Sequence, residues 1–132
     1  MLTFTTRVKA NPAGIDYTFH SQAGPVGRHL HKIGRRIVAA ARAQVGKETG
    51  QLMNSITYDV KMIVGRPQLV VTADDDIALI HHEGTRPHAI QARNAQALRY
   101  SSTGRIVYSR AVMHPGTPPN RYLSDNLYIA KG

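Results

Sequence analysis

Between Gly24-Pro25 and Gly46 the chain keeps one periodicity for about twenty residues. Val26, Leu30, Ile33, Ile37, Ala41 and Val45 recur at steps of three and four, the spacing that puts side chains on one face of a helix. Pro25 suits a first helical turn, where its missing N–H costs nothing, and Gly46 predicts the end. A helix with one apolar stripe needs a second layer to cover it. From Ile56 the period switches to two: Ile56, Tyr58, Val60, Met62 and Val64 alternate with Thr57, Asp59 and Lys61, as in a half-buried strand. Gly65-Arg66-Pro67 predicts a turn into a second strand, Leu69 to Ala73. The pattern predicts an α+β fold in a single domain, residues 1–132. Its antiparallel β-sheet is packed by one long helix in the N-terminal half, with a short middle helix and a C-terminal helix.

The remaining segments are read in the same way. Leu2, Phe4, Thr6 and Val8 share one face of an alternating stretch, and Ile15, Tyr17 and Phe19 follow Asn11-Pro12-Ala13-Gly14; this predicts a hairpin with a Pro/Gly turn. Lys47 to Asn54 is polar and reads as a loop. Asp74-Asp75-Asp76 places carboxylates at the N-terminus of a short helix, Ile77 to about Glu83, stopped by Gly84; a helix dipole favours negative charge there. Thr85 to Ala97 lacks periodicity and reads as a long docking loop. Leu98 to Tyr100 and Ile106 to Met113 flank Ser101-Ser102-Thr103-Gly104 as a further hairpin. After a turn, His114 to Pro119, Asn120 is a candidate N-cap for a closing helix, Arg121 to about Ala130.

Composition removes several function classes. No stretch approaches the roughly 20 apolar residues of a membrane span, so a soluble protein with no membrane partner is expected. The opening Met1-Leu2-Thr3-Phe4 lacks the pattern of a cleaved signal. With no cysteine, disulfides, thiolate metal sites and cysteine nucleophiles are excluded. Seventeen Lys and Arg against eight Asp and Glu give a formal net charge of +9, which suits a polyanion or an acidic protein surface as partner. Arg28, Lys32, Arg35, Arg36 and Arg42 fall opposite the apolar stripe of the long helix. Arg28, Lys32, Arg35 and Arg36 have no acidic residue at i±4 to offset them, an arrangement that is mildly destabilising. A plain solvated face explains them, and so does a surface meeting another subunit or DNA.

Catalytic chemistry finds little support. His81, His82, Glu83 and His88 form the densest candidate metal cluster, but adjacent histidines on a helix diverge by about 100 degrees and cannot both reach one tetrahedral ion. His29 and His31 meet the same difficulty. Ser55, Ser101 and Ser109 lie in no Gly-x-Ser-x-Gly context, and the only clustered carboxylates are the adjacent Asp74 to Asp76. No catalytic residue, metal site or cofactor is expected, and the chain is not expected to be an enzyme. Nucleic-acid contact has more in its favour, since Arg99-Tyr100, Arg105, Tyr108, Arg110 and Arg121-Tyr122 interleave charge with aromatic faces. Strand tyrosines more often serve packing.

Three segments in order carry a resemblance: TGQLMNSI at Thr49 to Ile56, HHEGTRPH at His81 to His88, and HPGTPPNRYL at His114 to Leu123. Together they resemble the head-tail joining family (neck, tail-completion or minor tail component) of long-tailed double-stranded DNA phages, over roughly residues 24 to 130. By motif, Thr49, Gly50, Leu52, Ser55 and Ile56 match the family's turn into a strand. Glu83, Gly84 and Thr85 match its acidic-GT turn, and Pro118, Tyr122 and Leu123 its closing Pro and aromatic-Leu element. The chain departs from many members of that family in lacking an aromatic residue between Glu83 and Gly84.

The resemblance implies a small α+β fold and a structural virion role. Copies would form a homo-oligomer ring, of six or twelve subunits, at the head-tail junction as neck connector, tail completion protein or tail terminator. Its partners would be neighbouring neck, portal-side and tail-tube proteins, with non-specific contact to channel DNA. The chain would be made in the bacterial host cytoplasm. Interface candidates are Arg28, Lys32, Arg35, Arg36, Glu83, Gly84, Thr85, Arg86, Pro87, His88, Pro118, Tyr122 and Leu123. The basic helix and the Asp74 to Asp76 turn offer two unlike patches, as a heterologous ring requires. The alternatives are a basic nucleic-acid-binding module without sequence preference and, third, a small hydrolase.

Overall fold

The computed structural model describes residues 1–46 and 50–131 and has an α+β fold. Residues group into two units, one made of 1–75 with the closing segment from Tyr122 on, the other of Asp76–Arg121.

In the first unit, residues 1–10 carry no regular structure and Pro12–His20 is a helix, α1. The expected N-terminal hairpin is therefore absent. The sequence Asn-Pro was read as a turn, but it also begins helices. Asn11 accepts a hydrogen bond from the Gly14 N–H at 3.2 Å, and Pro12 takes the first helical position. A second helix, α2, runs from Pro25 to Val45, between Gly24 and Gly46 as the sequence predicts. It buries Ile33, Ile37, Val38, Ala41 and Val45. Gln51–Ser55, expected as loop, forms a short helix, α3, burying Leu52; Thr49 and the rest of 47–49 lie outside the described residues.

Two strands, β1 (Ile56–Ile63) and β2 (Arg66–Ala73), pair antiparallel. The turn comes earlier than predicted, at Val64-Gly65, both with positive φ (50° and 69°), the twist a two-residue hairpin loop needs. Arg66 and Pro67 thus belong to β2. Proline is tolerated there because an edge strand has one side that donates to no neighbour.

The sheet lays Tyr58 and Leu69 against α2 at Gly34, where a Cβ would lie 2.8 Å from Tyr58 Cγ and from Leu69 Cδ1. A missing side chain here, rather than backbone freedom, lets helix and sheet approach. Ile33 and Ile37 form a cluster with Ile129, flanked by Ala40, Leu69 and Val71; burial contributes about 1.5–3 kcal/mol for each large side chain.

The closing helix is a 3₁₀ helix, Ser124–Lys131, rather than an α-helix from Arg121. Asn120 does not cap it; its N–H donates to the His81 carbonyl at 3.1 Å. The buried Asn126 amide ties the 3₁₀ helix in place, donating to Gln44 Oε1 and to the Tyr122 carbonyl, each at 2.8 Å.

The second unit begins with α4, Ala78–Glu83, close to the expected short helix. Strands β3 (His88–Gln91), β4 (Leu98–Ser102), β5 (Arg105–Ser109) and β6 (Ala111–His114) follow. Their pairing is nested: β3 with β6, β4 with β5. The Ala92 N–H donates to the Arg110 carbonyl at 3.0 Å, and Thr85 bridges Thr117. One two-stranded ribbon therefore runs from Thr85 and Thr117 to a tip at Thr103-Gly104. Residues 92–97 stand opposite Arg110 alone and form a bulge. The expected loop from Thr85 to Ala97 is corrected in part: Thr85 bridges Thr117 and His88–Gln91 is a strand of the ribbon, while residues 92–97 carry no regular structure.

Candidate assembly surfaces

The base of the ribbon brings together most of the interface candidates read from the sequence. Thr85 and Thr117 donate to one another's carbonyls at 2.9 and 3.1 Å, and the Thr117 N–H also reaches Thr85 Oγ1 at 3.0 Å. Gly84 (φ 74°) and Gly116 (φ 87°) precede the two threonines, each in the left-handed region open to glycine. The relation between the two turns is reciprocal. A Cβ on Gly84 would run into the Thr117 carbonyl and lie 2.8 Å from Pro119 N, while one on Gly116 would run into the Thr85 carbonyl and lie 3.0 Å from Pro87 N. The echoing EGTRP and PGTPP segments are thus two halves of one clasp.

Around the clasp the histidines serve backbone and neighbours. His82 Nδ1 lies 2.7 Å from Glu83 Oε1. His81 Nε2 meets the Asn120 side-chain amide at 3.3 Å. His88 Nδ1 lies 2.9 Å from the Arg86 carbonyl and so donates to it, whereas His114 Nδ1 accepts the Gly116 N–H at 3.0 Å. The His88 and His114 rings stack with centroids 5.1 Å apart. Among the described residues no group of three or more His, Asp or Glu side chains could hold a metal ion.

Arg86, Pro87, His88 and Pro118 are exposed, and Gly84 and Thr85 half-buried. Between Thr85 and Thr117 the ribbon carries Arg86, Arg93, Arg99, Arg105 and Arg110 and no acidic residue. Of residues 76–121 only Ala78 is buried, and Ile106, Tyr108 and Met113 stand 55%, 67% and 67% exposed.

The first unit carries the other candidates. Arg28, Lys32, Arg35 and Arg36 are exposed on α2, opposite its buried face. Among the described residues none of the four pairs with a carboxylate. Arg28 donates to the Ala23 carbonyl at 2.7 Å, tying it to the bend before the helix. Arg42, expected on the same stripe, turns back instead: its Nε and Nη2 donate to the Ile56 carbonyl at 3.2 and 2.8 Å. Arg35 and Arg42 border an open hollow of about 360 Å³ with Thr57 and Tyr58.

Tyr122 is 1% exposed and offers no side-chain surface to a partner; its place in the closing motif is that of a core residue. Leu123 beside it is half-buried. Burial, and behind it the Asp75 carboxylate, raises the Tyr122 phenol above its ordinary range.

The β4–β5 hairpin lies where the sequence predicts it; sequence reasoning missed β3, which is exposed along its whole length and leaves no alternation to read. No helix is long and apolar enough to cross a membrane among the described residues. A scan against protein-family models, a search of curated proteins and a search of solved structures returned no match.

Proposed function

We propose that the chain is a structural, non-enzymatic virion protein of a double-stranded DNA phage. Copies close into a ring of six or twelve subunits at the head-tail junction and join the DNA-filled capsid to the tail as connector, completion protein or terminator. The observation that carries this reading is the unfinished state of residues 76–121. They form a clasped, paired ribbon and yet bury only Ala78. Two-stranded ribbons are marginal alone, and apolar side chains left out of a core mark surfaces meant for another protein. The ordered motifs of the sequence point to the same family of assembly parts.

Cryo-microscopy of particles, with native mass spectrometry of the purified chain, tests the proposal. The expected result is a closed ring at the junction and, in isolation, weak association. Particles that lack the chain would sink it.

A second reading keeps one specific observation, the five arginines and no acid along a ribbon bearing exposed Tyr108. It is sequence-independent contact with DNA, in the channel or as the chain's main task. Affinity for random duplex falling steeply with salt supports such contact, because displaced counterions drive it. A strong preference for one sequence would call for base readout and a different protein.

A further inference from the structure

We propose that residues 1–9 form a strand that adds to the free edge of β2 in a second copy of this chain. The proposal rests on the self-assembling reading above, but not on any particle.

The arm, residues 1–10, carries no regular structure and is exposed throughout: Leu2, Phe4 and Val8 are 87%, 88% and 92% exposed. Its sequence nonetheless alternates, with Leu2, Phe4, Thr6 and Val8 on one side and Thr3, Thr5 and Arg7 on the other. Alternation of this kind is useless to an isolated coil and necessary for a strand with one covered face.

The two edges of the β1–β2 sheet are treated differently. The Asp74 N–H donates to the Ser55 carbonyl at 3.3 Å, so along the register the odd-numbered residues of β1 bond to β2. Strand alternation then points the backbone of Ile56, Tyr58 and Val60, and of Leu69, Val71 and Ala73, outward. On β1 that edge is capped by side chains: Arg42 holds the Ile56 carbonyl, and the Gln22 amide holds that of Val60. On β2, among the described residues, no hydrogen bond reaches the outward groups of Leu69 or Val71. An edge left open in this way is a template for another strand.

Charge and polarity select the orientation. The arm carries Arg7 and Lys9 and no acid, and β2 runs directly into Asp74 and Asp75. A parallel register with residue 5 beside residue 70 brings Lys9 to Asp74. It also continues the helix-side row of Leu69 and Val71 with Phe4 and Thr6, and sets Thr3 and Thr5 beside Gln68 and Val70. The donor is another copy because in its own chain the arm stays clear of the sheet. Such exchange is head-to-tail, the kind that closes rings.

The chain has no cysteine, so paired single substitutions report the contact cleanly. Thr5→Cys is mixed under mild oxidation with affinity-tagged Val70→Cys, both as full-length chains, and the tag tells the mixed pair from either homodimer. A disulfide-linked mixed pair is expected, at several times the yield of Thr5→Cys with Lys61→Cys on β1. Equal yields at the two positions, or no mixed pair, would overturn the proposal. So would a Thr5→Cys, Val70→Cys double variant that closes on itself as a monomer in place of linking copies. A ring seen in particles without this cross-link sinks the arm and leaves the proposed function standing. The cross-link without a ring in particles does the reverse.

Discussion

Thr85 and Thr117 lie opposite one another across the ribbon base, 32 residues apart in sequence, and exchange backbone hydrogen bonds of 2.9 and 3.1 Å. The glycine before each threonine is pressed against the other turn. That reciprocity makes the clasp the most sensitive point of residues 76–121, which have almost no buried side chains to hold them otherwise.

Gly116→Ala therefore acts twice, through positive φ (87°) and through collision with the backbone of Thr85 to Pro87. Gly104→Ala at the ribbon tip meets only the first cost, since nothing lies within 4 Å of its Cβ position. We expect roughly 1 kcal/mol of local destabilisation at Gly104 and clearly more at Gly116. Amide exchange at Thr85 and Thr117 reads the difference. Equal effects would show that the two turns are not in contact.

A second expectation concerns α2. Gly34→Ala should gain up to about 1 kcal/mol of helix propensity. The new methyl would nonetheless meet the Tyr58 ring and Leu69 at less than van der Waals distance. Overpacking typically costs about 1–3 kcal/mol, so a net loss is expected in thermal or denaturant unfolding. Combining Gly34→Ala with Leu69→Ala should recover part of the strain, and a purely stabilising Gly34→Ala would show that helix and sheet are farther apart.

Tyr122 supplies a pH dependence with a definite sign. Burial, with Asp75 adding to it, raises its phenol above the ordinary value. Tyrosine in an unfolded chain begins to lose its proton near pH 10, while the buried one keeps it, so the unfolded state binds fewer protons and stability falls as pH rises. Below that pH this contribution is fully present. Thermal midpoints followed from about pH 8 to about pH 11 should fall more steeply for the native chain than for Tyr122→Phe. Parallel curves would place the dependence elsewhere.

How much of this could be read from the chain depended on whether a pattern had one cause. The α2 stripe and the alternation of β1 each reflect one buried face, and both elements lie where the sequence put them. At residues 1–20 the alternation misled, since Ile15, Tyr17 and Phe19 lie in a helix, and Asn11-Pro12 opens a helix as readily as it turns a strand. In the ribbon the β4–β5 hairpin was legible from its turn, whereas β3 was not, because a strand exposed along its whole length imposes no period. Among the candidate residues, Thr85 came from a motif, and its turn lies against that of Thr117 in the clasp. Tyr122 was misread because a buried aromatic and a contact aromatic look alike in sequence, and burial depends on residues distant along the chain.

The ribbon should also differ in dynamics. Residues 85–117 lack a core, whereas Ile33, Ile37 and Ile129 form one; opening free energies follow local burial. In the free chain, amides of β3 to β6 should exchange much faster than those of α2 and β1. In an assembled particle they should slow to match. Unchanged fast exchange on assembly would show that the ribbon is not a docking element.

The final prediction separates surface from fold on α2. Lys32, Arg35 and Arg36 are exposed and make no hydrogen bond or ion pair among the described residues, while Arg28 braces the Ala23 carbonyl. Lys32→Glu with Arg36→Glu should leave the thermal midpoint almost unchanged, since exposed substitutions usually shift stability by less than about 0.5 kcal/mol. Arg28→Glu should cost slightly more. If the basic face meets an acidic subunit surface or DNA, the double reversal should nevertheless sharply reduce incorporation into particles, because like charges then face each other across the contact. Normal incorporation with normal stability would mean that the face is only solvated. Loss of the fold would mean that these side chains support the helix in a way their exposure does not reveal.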